Sequence, residues 1–216
     1  MIELFHVTKT YENETHALYD VSLQIEKSDF IFLTGASGAG KTTLLRLIFG
    51  AEPASSGQIL VGGHNVSALK AHQLPMLRRK MGIVFQDFKL IQSRTIYENV
   101  SFTLEVLGLS QKEIKRKTWN VLKDVGLQHR MNHFPKQLSG GEQQRAAIAR
   151  ALVNDPLIMI ADEPTGNLDW DLTLEIMNYF NRMNARGTTI LIATHNQNIL
   201  KLYNKKTIHL EKGRIA

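Results

Sequence analysis

Gly35-Ala36-Ser37-Gly38-Ala39-Gly40-Lys41-Thr42 stands between an apolar run, Phe30-Ile31-Phe32-Leu33, and a stretch with helical spacing from Lys41 to Phe49. Few folds are open to a chain with this order. The apolar run reads as a buried strand. The stretch after the glycines reads as a helix that Gly50 stops. Between them, glycine lets the backbone turn without Cβ clashes and aim several N–H groups inward. The helix N-terminus adds its dipole and its unpaired N–H groups. Such a turn is built to hold an anion, and the spacing G-x-x-x-x-G-K-[ST] is that of a phosphate-cradling P-loop. In that arrangement Lys41 reaches the β- and γ-phosphates of a nucleotide and the Thr42 hydroxyl binds Mg²⁺. Gly35 to Thr43 is therefore the expected phosphate-binding segment.

The rest of the chain supplies the layers such a turn needs. Residues 2–7 and 21–26 alternate like strands, and 58–61 and 81–85 are short apolar runs. From about 88 to 150 the pattern turns helical. Ser110 and Glu113 form a capping box ahead of a helix with Ile114, Val121, Leu122 and Val125 on one face, which Gly126 ends. Beyond 156 the pattern alternates again: strand 157–161, helix 171–185, strand 188–193, helix 196–203, strand 206–210. That order predicts a parallel sheet with right-handed crossovers, into which 88–150 is inserted.

Leu157-Ile158-Met159-Ile160-Ala161-Asp162-Glu163 carries two acids out of a buried strand. The C-terminal edge of an open α/β sheet is where ligands bind. Asp162 is placed to hold Mg²⁺, directly or through water. Glu163, one residue on, points elsewhere and is the candidate to polarise an attacking water. A second anion-binding turn, Leu138-Ser139-Gly140-Gly141-Glu142, opens an alanine-rich helix, Gln143 to Leu152. Its Ser139, Gly140 and Gly141 sit at a helix N-terminus by the same dipole argument.

With the run L-S-G-G-E-Q-Q-R the chain resembles the ATP-binding-cassette (ABC) ATPases along nearly its whole length. The resemblance implies an α/β fold: a RecA-like P-loop NTPase core (about 1–87 and 151–216), a small antiparallel β subdomain, and an inserted helical subdomain (about 88–150). It implies a composite site, in which the P-loop of one copy faces Ser139–Glu142 of a second copy across a head-to-tail homodimer. It also implies further roles, position by position. Tyr11 would stack on adenine. Gln86 would sense Mg²⁺ and the γ-phosphate and link core to insertion. Asp169, in Gly166-Asn167-Leu168-Asp169, would cross the dimer interface. His195, after Thr189-Ile190-Leu191-Ile192-Ala193-Thr194, would sit near the γ-phosphate. The implied reaction is Mg²⁺-dependent hydrolysis of ATP to ADP and phosphate.

Within the family, Pro164 to Asp169 resembles the branch of lipoprotein-release, macrolide-export and cell-division ATPases. Phe85 to Ile91, continuing through Arg94 to Val100, is most similar to the cell-division type. That likeness implies an integral membrane partner of the FtsX type, a peripheral place on the cytoplasmic face of the bacterial plasma membrane, and a conformational signal passed to cell-wall hydrolases. The alternative it leaves open is the ATPase of an exporter. Residues 87–109, with Phe88, Leu90, Ile91, Tyr97 and Phe102, are the expected partner-docking segment.

Composition fits these expectations. No apolar stretch of the 216 residues approaches the roughly 20 of a membrane span, and Met1 to His6 lacks the pattern of a signal peptide. There is no cysteine, which excludes disulfide and thiolate chemistry. The formal charge of +6 is dispersed, apart from a cluster at Lys112, Lys115, Arg116 and Lys117. It would suit an anionic surface. Nucleic acid is not expected as a partner, because the long coiled-coil insertions and paired cassettes of DNA- and ribosome-acting relatives are not in this sequence.

Overall fold

A computed structural model describes residues 1–12 and 14–216. In chain order the elements are β1 (Ile2–Thr10), β2 (His16–Ile25), β3 (Phe30–Thr34), α1 (Lys41–Ile48), β4 (Ser56–Val61), β5 (His64–Asn65), α2 (Leu74–Arg78), β6 (Met81–Val84), α3 (Ile96–Val106), α4 (Gln111–Asp124), α5 (Gly140–Leu152), β7 (Ile158–Asp162), α6 (Trp170–Ala185), β8 (Thr189–Ala193), α7 (Gln197–Tyr203), β9 (Lys206–Glu211) and β10 (Arg214–Ile215).

They form two sheets. An antiparallel sheet has the order β2-β1-β4-β5, and a six-stranded sheet the order β10-β9-β3-β8-β7-β6. In the larger sheet β9, β3, β8, β7 and β6 pair in parallel, with β10 antiparallel at one edge. Every residue of β3, β7 and β8 is buried. This is why their sequences are unbroken apolar runs rather than alternating ones: both faces of a parallel sheet are covered.

The period of two along these strands sorts their side chains into separate cores. Ile31 and Leu33 of β3, Ile158 and Ile160 of β7, and Leu191 and Ala193 of β8 pack with α1 and the antiparallel sheet. Their neighbours Phe30, Phe32, Met159, Ala161, Ile190 and Ile192 pack with α3, α4, α5 and α6. The parallel sheet is thus the middle layer, with the antiparallel sheet and α1 on one side and the inserted helices on the other. Each parallel strand ends at the edge where the P-loop and the acids emerge.

The inserted helices start where their caps dictate. Thr95 and Glu98, Ser110 and Glu113, and Ser139 and Glu142 each form a capping box, opening α3, α4 and α5. Only the Ser110 box is expected from the sequence reading. Gly126, at φ 69°, follows the last turn of α4 as the stop the sequence predicts. One expectation fails locally, and three short elements go unforeseen. Residues 88–95 are not helical, because Phe88 and Lys89 take left-handed φ of 61° and 49° and turn the chain before Thr95 can cap α3. The short α2 and the edge strands β5 and β10 go unpredicted, since two to five residues carry too little periodicity to register.

Candidate active site

The P-loop joins the end of β3 to the start of α1. Gly35, Gly38 and Gly40 have φ of 144°, 79° and 105°. A Cβ on Gly35 would strike the Leu210 carbonyl oxygen of β9, and one on Gly40 the Ala17 carbonyl oxygen of β2, so glycine lets the loop nest between the two sheets. Gly40 is the N-cap of α1 and gives it no side-chain cap, which leaves the first N–H groups of the helix available to an anion. Gly35–Gly38 and Gly40–Thr43 line a cavity of about 490 Å³ together with His16, Ala17, Gln86, Asp162, Glu163 and His195. Ala39 is buried beneath it. The Lys41 ammonium donates to the carbonyls of Gly35 (2.8 Å) and Ala36 (3.0 Å), at the mouth of the loop.

The Thr42 hydroxyl donates to Asp162 Oδ2 at 2.7 Å. Asp162 is only 8 % exposed. Burial raises its pKa, the Thr42 bond opposes that, the nearby Glu163 adds to it, and Lys41 partly relieves it. A buried carboxylate beside a hydroxyl at the rim of a phosphate cradle fits Mg²⁺, which takes one or two carboxylates and completes its shell with phosphate oxygens and water. Among the described residues no group of three or more His, Asp or Glu could hold a metal by itself.

Glu163 follows Asp162 at φ 48°, an uncommon value for a side chain of this kind, and its N–H donates to Ala193 O at 2.9 Å. The resulting bend parts the two acids. Asp162 faces Thr42, while Glu163 Oε1 lies 2.7 Å from His195 Nδ1 and its Oε2 accepts from the Thr194 hydroxyl at 3.3 Å. The His195 side chain is 77 % exposed and that of Glu163 16 %. The histidine can therefore swing toward an incoming group more freely than the acid can. Gln86 is exposed and borders a second, larger cavity of about 800 Å³, lined also by Arg46, Phe49, Glu52, Phe85 and Lys89.

Tyr11 ends up beside the P-loop helix. Its hydroxyl donates to Glu52 (2.8 Å) and lies 3.3 Å from Thr43 Oγ1, and the Lys9 ammonium sits 5.0 Å from the ring centroid. It does not line the cavity, so the geometry leaves its ring outside the pocket walls.

The second anion-binding turn is elsewhere. Ser139 and Gly140 are exposed, and neither they nor Gly141 and Glu142 line the P-loop cavity of their own chain. The Ser139 hydroxyl accepts from the Glu142 N–H and donates to the Glu142 carboxylate at 3.0 Å, and Arg130 binds the other carboxylate oxygen at 3.2 Å. Those bonds, the backbone one from Ser139 first, hold the Glu142 pKa down. A Cβ built on Gly141 would lie 3.2 Å from Asn167 O. The turn therefore abuts the Gly166–Asp169 loop, whose exposed Asp169 caps α6 through the Leu172 N–H.

Three contributors escaped the sequence reading. Thr194 holds Glu163, although it lies next to His195. Arg130 braces the Ser139 turn through Glu142, 12 residues downstream of it, a spacing with no helical or strand logic. Arg150, on α5, donates to the carbonyls of Lys89 (2.5 Å) and Phe88 (2.7 Å), across 61 and 62 residues. Leu90 of the expected docking segment is 7 % exposed and belongs to the core, so it cannot meet a partner; Ile91 (37 %) and Phe102 (38 %) remain outside.

The cell division ATP-binding proteins FtsE of Streptococcus pneumoniae, Bacillus subtilis and Escherichia coli are 47%, 46% and 44% identical to the chain. In each case the alignment covers 100% of this chain and, respectively, 94%, 95% and 97% of the relative. The ATP-binding cassette MJ0796, solved as a dimer in a post-hydrolysis state bound to ADP and Pi, superimposes with a TM-score of 0.95 at 36% identity, covering 100% of this chain and 96% of that one. The profile of the ABC transporter family matches residues 18–166, from β2 through the P-loop and the Ser139 turn to Gly166, and the chain belongs to that family as an ATP-binding cassette.

Proposed function

We propose that the chain is the ATP-hydrolysing subunit of a cell-division complex, working as a homodimer that holds ATP and Mg²⁺ between its copies. The observation that carries this reading is the division of the site. One chain gathers Lys41, Thr42, Asp162, Glu163 and His195 around a single cavity, yet leaves Ser139 and Asp169 exposed to solvent on turns that approach each other at Gly141 and Asn167. A second copy, applied head to tail, supplies those two groups to the open side of the cavity. That the MJ0796 cassette is dimeric supports a dimer for this chain.

In this reading the P-loop N–H groups and Lys41 bind the phosphates, and Thr42 and Asp162 would hold Mg²⁺, which when bound would supply positive charge beside the γ-phosphate. Gln86 reports on the metal and γ-phosphate. Tyr11 stacks on adenine once Lys9 yields its face. His195 exchanges its bond with Glu163 for the γ-phosphate, which frees Glu163 to orient water. The membrane partner is of the FtsX type, and the complex transmits dimer closure to cell-wall hydrolases from the cytoplasmic face of the plasma membrane. No helix among the described residues is long and apolar enough to cross a membrane. The same MJ0796 cassette is described as a bacterial ABC transporter cassette (TM-score 0.95, 37% identity), which supports the ATPase of a transporter as the second reading; the higher identity to FtsE proteins weighs against it.

Glu163→Gln tests the assignment. The variant should bind ATP and accumulate as a closed dimer while phosphate release falls roughly 10²–10⁴-fold. Near-normal turnover would remove Glu163 from the role. Isolation of the complex from native membranes separates the two readings by the identity of the partner.

A further inference from the structure

The parallel sheet has a recess at the end away from the nucleotide. β6 starts at Met81 and β7 at Ile158, and both run in parallel toward the edge that carries Asp162. At those first residues opens a cavity of about 290 Å³. Leu77, Met81 and Ile158, all buried, form its floor, and Met1 and Leu157 its walls. No residue that lines the P-loop cavity or the cavity at Gln86 borders it. The backbone around it is fixed. The N–H groups of Leu157 and Ile158 donate to Lys80 O at 3.0 and 3.4 Å, and Gly62 N–H donates to Met1 O at 2.9 Å. Leu157 nevertheless leaves 53 % of its surface in water, at the mouth of an apolar recess.

The rim of the recess is basic. Lys27, His64 and Lys80 border it, all three exposed, and no carboxylate does. Among the described residues Lys27 and Lys80 make no ion pair. The acids nearest Lys27 in sequence are engaged elsewhere. Glu26 accepts from Gln24 Nε2 at 2.6 Å, and Asp29 accepts from the Glu26 N–H at 2.9 Å and lies 3.8 Å from Lys206. Asp155, two residues before Leu157, pairs with Lys117 at 2.6 Å. Charges of one sign around a low-dielectric recess focus a potential that draws the opposite sign. A concave, mostly apolar lining with a few charged groups is the form of a small-molecule site.

We propose that this recess binds a small soluble amphipathic anion, a monocarboxylate with a straight aliphatic tail. The carboxylate would meet Lys27 and Lys80 at the rim, and the tail would lie on Leu77, Met81 and Ile158. Charge sets the sign of the ligand and volume its size. At about 30 Å³ per water-sized group, 290 Å³ holds about ten non-hydrogen atoms, the size of octanoate. A docked protein would need a surface of about 1,000 Å² or more rather than a recess of this size. His64 belongs to the antiparallel sheet and Met81 and Ile158 to the parallel one, so the ligand would sit at the junction of the two layers. The site shares nothing with the nucleotide cavity, so its test does not depend on the nucleotide reading.

The test titrates sodium octanoate into the full chain carrying ¹³C-labelled methionine methyl groups. The Met81 methyl should shift saturably, with a Kd of roughly millimolar or tighter. Met177 and Met183, in the core on the other face of the sheet, should stay still. From butanoate to octanoate each added methylene should tighten binding by up to about fourfold, and dodecanoate should gain nothing more. Octylammonium should bind about tenfold more weakly than octanoate, or worse. Lys27→Glu with Lys80→Glu should weaken octanoate by about tenfold or more, because each reversal replaces an attraction with a repulsion. Lys123→Glu, on α4 and outside the recess, should leave affinity within about twofold. Far-UV circular dichroism checks that the variants remain folded, and the head-group and tail series need no variant at all. Octylammonium binding as tightly as octanoate would overturn the proposal, as would equal octanoate binding by the Lys27/Lys80 and Lys123 variants. So would a Met81 methyl that phosphatidylglycerol vesicles shift and octanoate does not.

Discussion

Replacing Arg150 with methionine isolates one polar clip between α5 and the segment that leaves Gln86. The guanidinium donates to the carbonyls of Phe88 and Lys89 and has no carboxylate partner among the described residues; burial lowers its pKa. Both carbonyls belong to residues with left-handed φ, a conformation that costs about 1–3 kcal/mol each and persists only where the surroundings impose it. Methionine keeps the aliphatic stem and removes both donors. A hydrogen bond to a charged group contributes about 1.5–3 kcal/mol, so two amount to about 3–6 kcal/mol. Relief from burying an unpaired charge returns part of that. The expected net loss is about 2–4 kcal/mol, read as a lower midpoint in urea unfolding. The loss should be local as well as global. The amides of Phe88, Lys89 and Ile91, which bond to Phe85 O, Asp87 O and the Asn99 side chain, should exchange hydrogen faster. Arg150→Lys should fall between, since one ammonium cannot reproduce the two-pronged contact. A loss under about 1 kcal/mol with unchanged exchange at 87–91 would refute the reasoning: the carbonyls would then be satisfied without the arginine.

Burial and exposure at two other sites give two further expected outcomes. Burial raises the Asp162 pKa, so the folded chain holds that proton more tightly than the unfolded chain, and stability falls as pH rises from about 4 through the raised folded value; Asp162→Asn should therefore raise the melting temperature of the nucleotide-free chain at pH 7, flatten that part of its pH profile, and lose stabilisation by Mg²⁺ with ATP, all measurable by thermal unfolding between pH 4 and 8. Phe102, exposed beneath Arg94 with 4.2 Å from the guanidinium carbon to the ring centroid, should tolerate glutamate in the fold and lose co-purification with the membrane partner, whereas Leu90→Glu should unfold the helical layer instead.

Much of this protein was legible in one dimension because its chemistry is local. Gly35 to Thr42 specify a turn by φ requirements that only glycine meets cheaply, between an apolar run and a helical one. The runs at 30–33, 157–161 and 189–193 announce a doubly covered parallel sheet, because an uncovered face would have left polar residues at every second position. The pair Asp162-Glu163 at the end of such a strand already locates the acids at the sheet edge.

Tertiary structure decided the rest. That Asp162 meets Thr42 across 120 residues depends on β7 and β3 lying in one sheet, separated by β8. The divergence of Asp162 and Glu163 depends on one positive φ, held by the Ala193 carbonyl of that same β8. Arg150 gains its role from a turn 61 residues away and Arg130 from the first turn of α5, 12 residues away, and Leu90 loses its surface role to the core. Glycine geometry and strand periodicity are written into adjacent residues, whereas a hydrogen bond between distant groups exists only after packing has brought both of them out of water and into reach.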